Sequence, residues 1–217
     1  MQDSPSPPTR KRQRRKDDRP AEIIAAAMRL WSERGFAATR LEDVAAGAGI
    51  AKGTIYRYFP SKEALFEAAL ENRIATTMDR ARDMAAGFDG PIRSVLSRFL
   101  ASIRAELVEN GSSVFLRILL SEGHRFPALV ALYETVALSR GLATIRAILA
   151  RGVARGDLRP EALDCDPRLI VAPAMMLAMW DTVFKVGDLP DIATALDQHV
   201  GILMDGLGNG TRTGIPI

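Results

Sequence analysis

Residues 39 to 65 read TRLEDVAAGAGIAKGTIYRYFPSKEAL, and their order prescribes two short helices with a tight turn between them. Thr39-Arg40-Leu41-Glu42 has the form of a capping box, in which the Thr39 hydroxyl accepts from the Glu42 amide and the Glu42 carboxylate reaches back to the amide of Thr39. The helix that starts there carries Leu41, Val44 and Ala45 on one face. It runs into Gly47-Ala48-Gly49, where glycine permits the positive φ of a sharp stop. A following helix from about Ala51 buries Ile55 and Phe59, four residues apart, and turns Lys52, Thr54, Tyr56, Arg57 and Tyr58 elsewhere. Pro60 ends it, and Ser61 caps a further helix that the apolar spacing carries to about Met84.

Ala45 precedes Gly49 by four residues and Ile55 follows it by six. Two helices that cross steeply through so short a turn need a small residue at their contact, a glycine in the turn and a branched apolar anchor beyond it. That is the pattern of a helix-turn-helix over about residues 40–59, which presents its second helix to a DNA major groove. Upstream, Pro20 stands at a first helical position, and Ile24, Ala27, Met28 and Trp31 recur at helical spacing until Gly35 stops the run.

Before that helix the composition changes. Residues 1–20 hold seven Lys/Arg against three Asp, a net of +4, while the whole 217-residue chain has +3, so everything after residue 20 sums to −1. The proline-rich arm of residues 1–17 has no apolar period with which to pack. It is expected to be disordered until it meets nucleic acid.

Downstream every segment keeps helical spacing: Pro91 to Gly111, Ser113 to about Glu122, Pro127 to near Gly156, Asp166-Pro167 through Phe184, and Ile192 to Leu207. The expected fold is all-α, of about nine helices. Its expected domains are 18–78 for DNA binding, 79–208 for effector binding and dimerisation, and a flexible tail at 209–217. The helices from Asp166 and from Ile192 are too apolar to be covered on one side only, which points to an intersubunit four-helix contact. Phe99, Ile103, Phe115, Tyr133, Met176, Met179, Trp180 and Phe184 are candidates to line a pocket for an apolar or cationic organic effector.

Other functions are poorly served. The chain has no Walker loop, dinucleotide fingerprint, His-Glu-x-x-His or nucleophile elbow, so no catalytic residue is assigned. One cysteine and two isolated histidines offer no metal site and call for no cofactor. The run from Leu169 to Trp180 is too short to cross a bilayer, and the expected location is the cytoplasm, away from any membrane.

From Ile23 to Ala69 the chain resembles the DNA-binding domain of the tetracycline-repressor (TetR) family. The resemblance rests on Ala26-Ala27-Met28-Arg29-Leu30-Trp31 with Gly35-Phe36, on Thr39 to Ala51, and above all on Lys52-Gly53-Thr54-Ile55-Tyr56-Arg57-Tyr58-Phe59-Pro60-Ser61-Lys62-Glu63-Ala64-Leu65. It implies a homodimer bound to double-stranded palindromic operator DNA and released by a small-molecule effector, most family members being repressors. By the same resemblance Thr39 and Arg40 meet phosphate. Lys52, Gly53, Thr54 and Tyr56 face the groove, Arg57 reads guanine or holds phosphate, and Tyr58 and Lys62 grip the backbone. Over Phe115 to Leu158 the chain also resembles regulators whose second domain carries a similar Glu-Gly-His-Arg-Phe-Pro segment. The rival reading is an architectural DNA-binding protein without an effector.

Overall fold

The computed structural model describes residues 19–87, 89–183 and 191–209. The expectations for the basic arm (1–17), for Phe184 and for the tail beyond Asn209 lie outside the described residues. Within them the chain is all-α, with no strand and a single isolated bridge between Leu158 and Gly208. The contacts group into two compact units, 1–69 with 118–129 and 70–117 with 130–217.

In the first unit, α1 (Arg19–Arg34) buries Ile23, Ile24, Ala27, Leu30 and Trp31, the stripe that its 3.6-residue period dictates. It stops at Gly35, whose φ of +82° suits glycine and whose missing Cβ would stand 3.0 Å from a Glu122 carboxylate oxygen. α2 (Leu41–Gly47) and α3 (Lys52–Tyr58) follow, and α4 (Lys62–Leu70) opens with the Ser61 hydroxyl accepting from the Ala64 amide at 3.1 Å. The turn after α2 closes doubly: the Ile50 amide donates to the Ala45 carbonyl at 2.9 Å and the Gly49 amide to Ala46 at 3.1 Å, with Gly49 at φ +65°. This is the Schellman arrangement, and it fixes where α3 departs.

The capping box expected at Thr39 and Glu42 does not form. Thr39 is fully buried and its hydroxyl donates to the Gly35 carbonyl at 2.7 Å, so it closes the α1–α2 loop instead. The cap moves on by one residue: the Asp43 carboxylate accepts from the Arg40 amide at 3.0 Å. Capping geometry depends on which residue leaves the helix first, and two adjacent acids in the first turn leave that register open in the sequence.

Residues 118–129 complete the first unit. Phe36 packs against Trp31, Phe66 and Phe126 with ring centroids 5.1 to 5.7 Å apart. Glu122 accepts from the amides of Phe36 and Ala37 at 2.9 and 2.7 Å, donors that the chain would otherwise leave unpaired after α1. The Lys62 ammonium donates to the carbonyls of the same two residues at 2.6 and 3.3 Å and sits 4.4 Å from the Phe36 ring centroid.

Helix continues from α4 through a π turn (Glu71–Ala75) into α5 (Thr76–Gly87). The second unit then holds α6 (Ile92–Arg104) with a π turn (Ala105–Glu109), α7 (Ser113–Glu122, shared with the first unit) and α8 (Pro127–Tyr133). A third π turn (Glu134–Leu138) leads into α9 (Ser139–Ala154), followed by a 3-10 turn (Pro160–Asp164), α10 (Pro167–Val183) and α11 (Ile192–Leu207). The 28 residues of Pro127–Ala154 are long and apolar enough to span a bilayer by composition. Within them Val136, Ile145, Ile148 and Leu149 are buried, and Arg140 pairs with Glu71 and Asp79. α10 runs through Pro173, and its Ile170 carbonyl accepts from His199 of α11 at 3.0 Å.

Gly152 marks the tightest approach in this core, because a Cβ there would fall 2.6 Å from Leu158 Cδ1 and 3.0 Å from Ile92 Cγ1, both on buried side chains. Gly152→Ala is therefore expected to lose about 1–3 kcal/mol to overpacking, more than alanine's helix propensity returns. Gly206→Ala, where a Cβ meets nothing within 4 Å, should be neutral or stabilising, and denaturant titration of the two variants checks the contrast.

Candidate nucleic-acid interface and ligand cavity

On the first unit, Arg40, Lys52, Gly53, Tyr56 and Arg57 are exposed, Thr54, Tyr58 and Lys62 are half-buried, and Thr39 is inaccessible. Thr39 thus leaves the set of residues able to touch phosphate with their side chains. Lys62 keeps one of its three ammonium protons beyond the two given to the α1–α2 loop. Arg57 lies over the Tyr58 ring, 5.5 Å from its centroid. Gly53 is informative because nothing lies within 4 Å of the Cβ it lacks, and its φ is ordinary. The fold itself does not require glycine there.

Glu42, which the sequence assigns to capping, instead faces α3. Its Oε1 accepts from the Tyr56 hydroxyl at 2.8 Å and pairs with the Lys52 ammonium at 3.0 Å. Lys52 and Tyr56 together hold the Glu42 carboxyl down at about 2, and the carboxylate in turn raises both partners above their ordinary values. Two of the residues expected to face DNA are therefore oriented by a shared carboxylate. No periodicity signals this, since the contact joins residues on different helices.

The second unit contains a small apolar cleft that encloses, with its open mouth included, about 500 Å³ of empty space. Its walls come from all three π turns among the described residues: Ile74 from the first, Glu106 and Leu107 from the second, Ala137 and Leu138 from the third. Ile103, Tyr133, Gly141, Leu142, Val171 and Met175 complete it. A π turn carries an extra residue per turn and widens the helix, a distortion found often at functional sites.

Of the expected pocket residues, Ile103 and Tyr133 line this cavity. Phe99 and Phe115 are fully buried in the core and do not line it. Met176 and Trp180 are exposed, at 60% and 47%, while Met179 is half-buried and away from the wall. The correction on α10 is one of phase: each residue advances about 100° around a helix, so Met175 faces the cavity and its neighbour Met176 faces out. Glu106 was missed because a lone acid in an apolar run reads as a solvated position. It is only 4% exposed, and it accepts from Ser112, from Thr77 at 2.8 Å and from Asn110 at 3.0 Å. Burial pushes the Tyr133 phenol up to about 12. Among the described residues no cluster of His, Cys, Asp and Glu could hold a metal.

The family model described as "Bacterial regulatory proteins, tetR family" matches residues 23–69, and that described as "Tetracyclin repressor-like, C-terminal domain" matches residues 89–198. The uncharacterized HTH-type transcriptional regulator Mb1581 of Mycobacterium bovis is 31% identical over 67% of this chain and 68% of its own. The HTH-type transcriptional repressor KstR2 of Mycolicibacterium smegmatis is 26% identical over 94% of each. The chain spans only 27% to 44% of the length of several other curated relatives that it matches. A solved regulator from Saccharomonospora viridis, in complex with choline, superposes with a TM-score of 0.71 at 23% identity, over 88% of this chain and 98% of the other. With the N-terminal model on the helix-turn-helix and the C-terminal model on more than half of the residues, the chain belongs to the tetracycline-repressor family of bacterial regulatory proteins.

Proposed function

We propose that this protein is a sequence-specific transcriptional repressor that works as a homodimer in the cytoplasm and leaves a palindromic operator when a small molecule occupies its second unit. Gly53 carries the reading. An exposed glycine inside a helix costs about 0.5–1 kcal/mol relative to alanine, and here no neighbour requires it. A duplex pressed against α3 would require it, because a Cβ at that point would hold the backbone away from the groove. Lys52, Thr54 and Tyr56 then face base edges, Arg57 reads guanine or grips phosphate, and Arg40, Tyr58 and the remaining proton of Lys62 set register on phosphates. The basic arm adds a salt-dependent contact. The DNA-binding head is taken as 18–78 and the effector and dimerisation domain as 79–208, with the Glu122–Phe126 segment of the latter seated in the head.

Dimerisation is assigned to α10 and α11, where Leu169, Met176 and Trp180 lie on one side of α10 and Ile202 is exposed on α11. An effector can shift such a dimer only by binding one arrangement of the heads better than another. The first of the three points at which the chain passes between the units lies in the helix of residues 62–87, whose π turn contributes Ile74 to the cavity.

Selection of binding sites from random duplex DNA should recover two inverted half-sites. Gly53→Ala and Tyr56→Ala should lose that selection while Gly53→Ala melts no lower than the parent; weak, salt-dependent binding without a consensus would favour the architectural reading. Glu42→Gln frees Lys52 and Tyr56 and removes a negative charge facing the phenol. In ultraviolet titration the Tyr56 ionisation should move down toward its ordinary value, with Tyr133 unchanged near 12. Met176→Glu should convert the dimer to monomer in sedimentation with helical circular dichroism retained, and a persisting dimer would place the interface elsewhere.

A further inference from the structure

The first turn of α2 carries two acids, and they are used differently. Asp43 accepts from the Arg40 amide at 3.0 Å and caps the helix. Glu42 leans across to α3, where one oxygen, Oε1, accepts from the Tyr56 hydroxyl at 2.8 Å and meets the Lys52 ammonium at 3.0 Å. Lys52 and Tyr56 are exposed and Glu42 is half-buried. A pair this open adds little to stability, so its consequence lies in what the face presents to a duplex. A carboxylate is an unfavourable group to bring toward DNA, which carries a negative charge for about every 1.7 Å of its axis. Its place in the chain is two residues from Arg40, which is assigned to phosphate.

A phenol has one proton to donate. With that proton on Glu42, the Tyr56 oxygen is left as an acceptor. Phosphate oxygens only accept, so they gain nothing from it, whereas the amino groups of adenine and cytosine in the major groove are donors. Lys52 is altered in the same direction, because its charge is matched by Glu42, and a phosphate that drew Lys52 away would leave a lone carboxylate beside the backbone. We propose that Glu42 is a specificity-determining residue, which turns Tyr56 and Lys52 from phosphate toward base edges and keeps binding to non-operator DNA weak. Discrimination is a difference between two affinities, and lowering the unwanted one widens it. The carboxyl is held at about 2, so Glu42 keeps its charge throughout the neutral range. This inference rests on the reading of α3 as the groove-facing helix. It differs from a purely structural role for Glu42 as a brace between α2 and α3, which would affect melting but not the salt dependence of DNA binding.

The test measures binding of the full-length protein, by fluorescence anisotropy, to two duplexes of equal length: the site recovered by selection and a scrambled version of it. Each is titrated over about a tenfold range of salt. Glu42→Ala is expected to bind the scrambled duplex more tightly, with a salt slope steeper by about 0.9. That is the increment for one added phosphate contact, or about eightfold in affinity per tenfold drop in salt. The preference for the selected site should narrow about tenfold, as base contacts are traded for phosphate contacts. Adding Lys52→Met should cancel the steeper slope, since the freed ammonium is the group that reaches phosphate. Binding to the scrambled duplex that is no tighter, with the slope unmoved, would leave Glu42 a brace and overturn the proposal while operator recognition stands. A preference as wide as the parent's, or a slope that steepens as much with Lys52→Met added, would do the same. If the parent shows no preference for any selected site, the reading of α3 fails and the role of Glu42 with it. Should Glu42→Ala not fold, Glu42→Gln, which keeps the shape and removes the charge, decides by the same slope.

Discussion

Phe36 is a single residue whose amide, carbonyl and ring are all held by charged or aromatic groups from distant parts of the chain. Its N–H goes to Glu122, its C=O to Lys62, and its ring to Trp31, Phe66 and Phe126. The loop between α1 and α2 must be fixed for the turn at Gly49 to aim α3. Backbone polar groups in such a loop have no ladder of their own. Supplying them from Glu122 and Lys62 satisfies two amides and two carbonyls and ties three segments to one point. The Lys62 ammonium gives up solvation to do this, and burial holds it below its ordinary value.

Much of this was legible in the order of residues, for identifiable reasons. Gly35, Gly49, Gly111 and Gly156 were read as helix stops, and each has positive φ. That signal is strong because few other residues tolerate the conformation. Ala45, Gly49 and Ile55 placed the helix-turn-helix because its steric demands fall at fixed intervals. The π turns left no trace, since an added residue per turn changes neither composition nor the apolar flanks. Helical phase around Pro173 was not legible either, so Met176 was expected at the pocket although Met175 lines the cavity and Met176 is exposed; Glu106 was hidden because its partners Thr77 and Ser112 come from different segments. Glu42 was legible as an acid near a helix start but not as the partner of Lys52 and Tyr56, because that pairing depends on how α3 crosses α2.

The two candidate surfaces use charge in opposite ways. On the exposed face, Glu42 is surrounded by solvent and its bonds to Lys52 and Tyr56 are cheap to exchange, as surface ion pairs generally are. In the second unit Glu106 is buried, and among the described residues its bonds are to neutral groups. The first carboxylate orients Lys52 and Tyr56, two of the residues proposed to face DNA. The second is taken up inside its own unit, where it joins α5 to the loop after α6.

The three π turns also bear on how such a cavity changes over time. A π turn takes up one additional residue without breaking the helix that flanks it, so insertions and deletions of single residues can be absorbed at Glu71–Ala75, Ala105–Glu109 and Glu134–Leu138 with α4 to α6, α8 and α9 left in being. Because all three line one chamber, its contour can be redrawn in one-residue steps. A lineage can thereby reshape this chamber while the helix-turn-helix keeps its sequence.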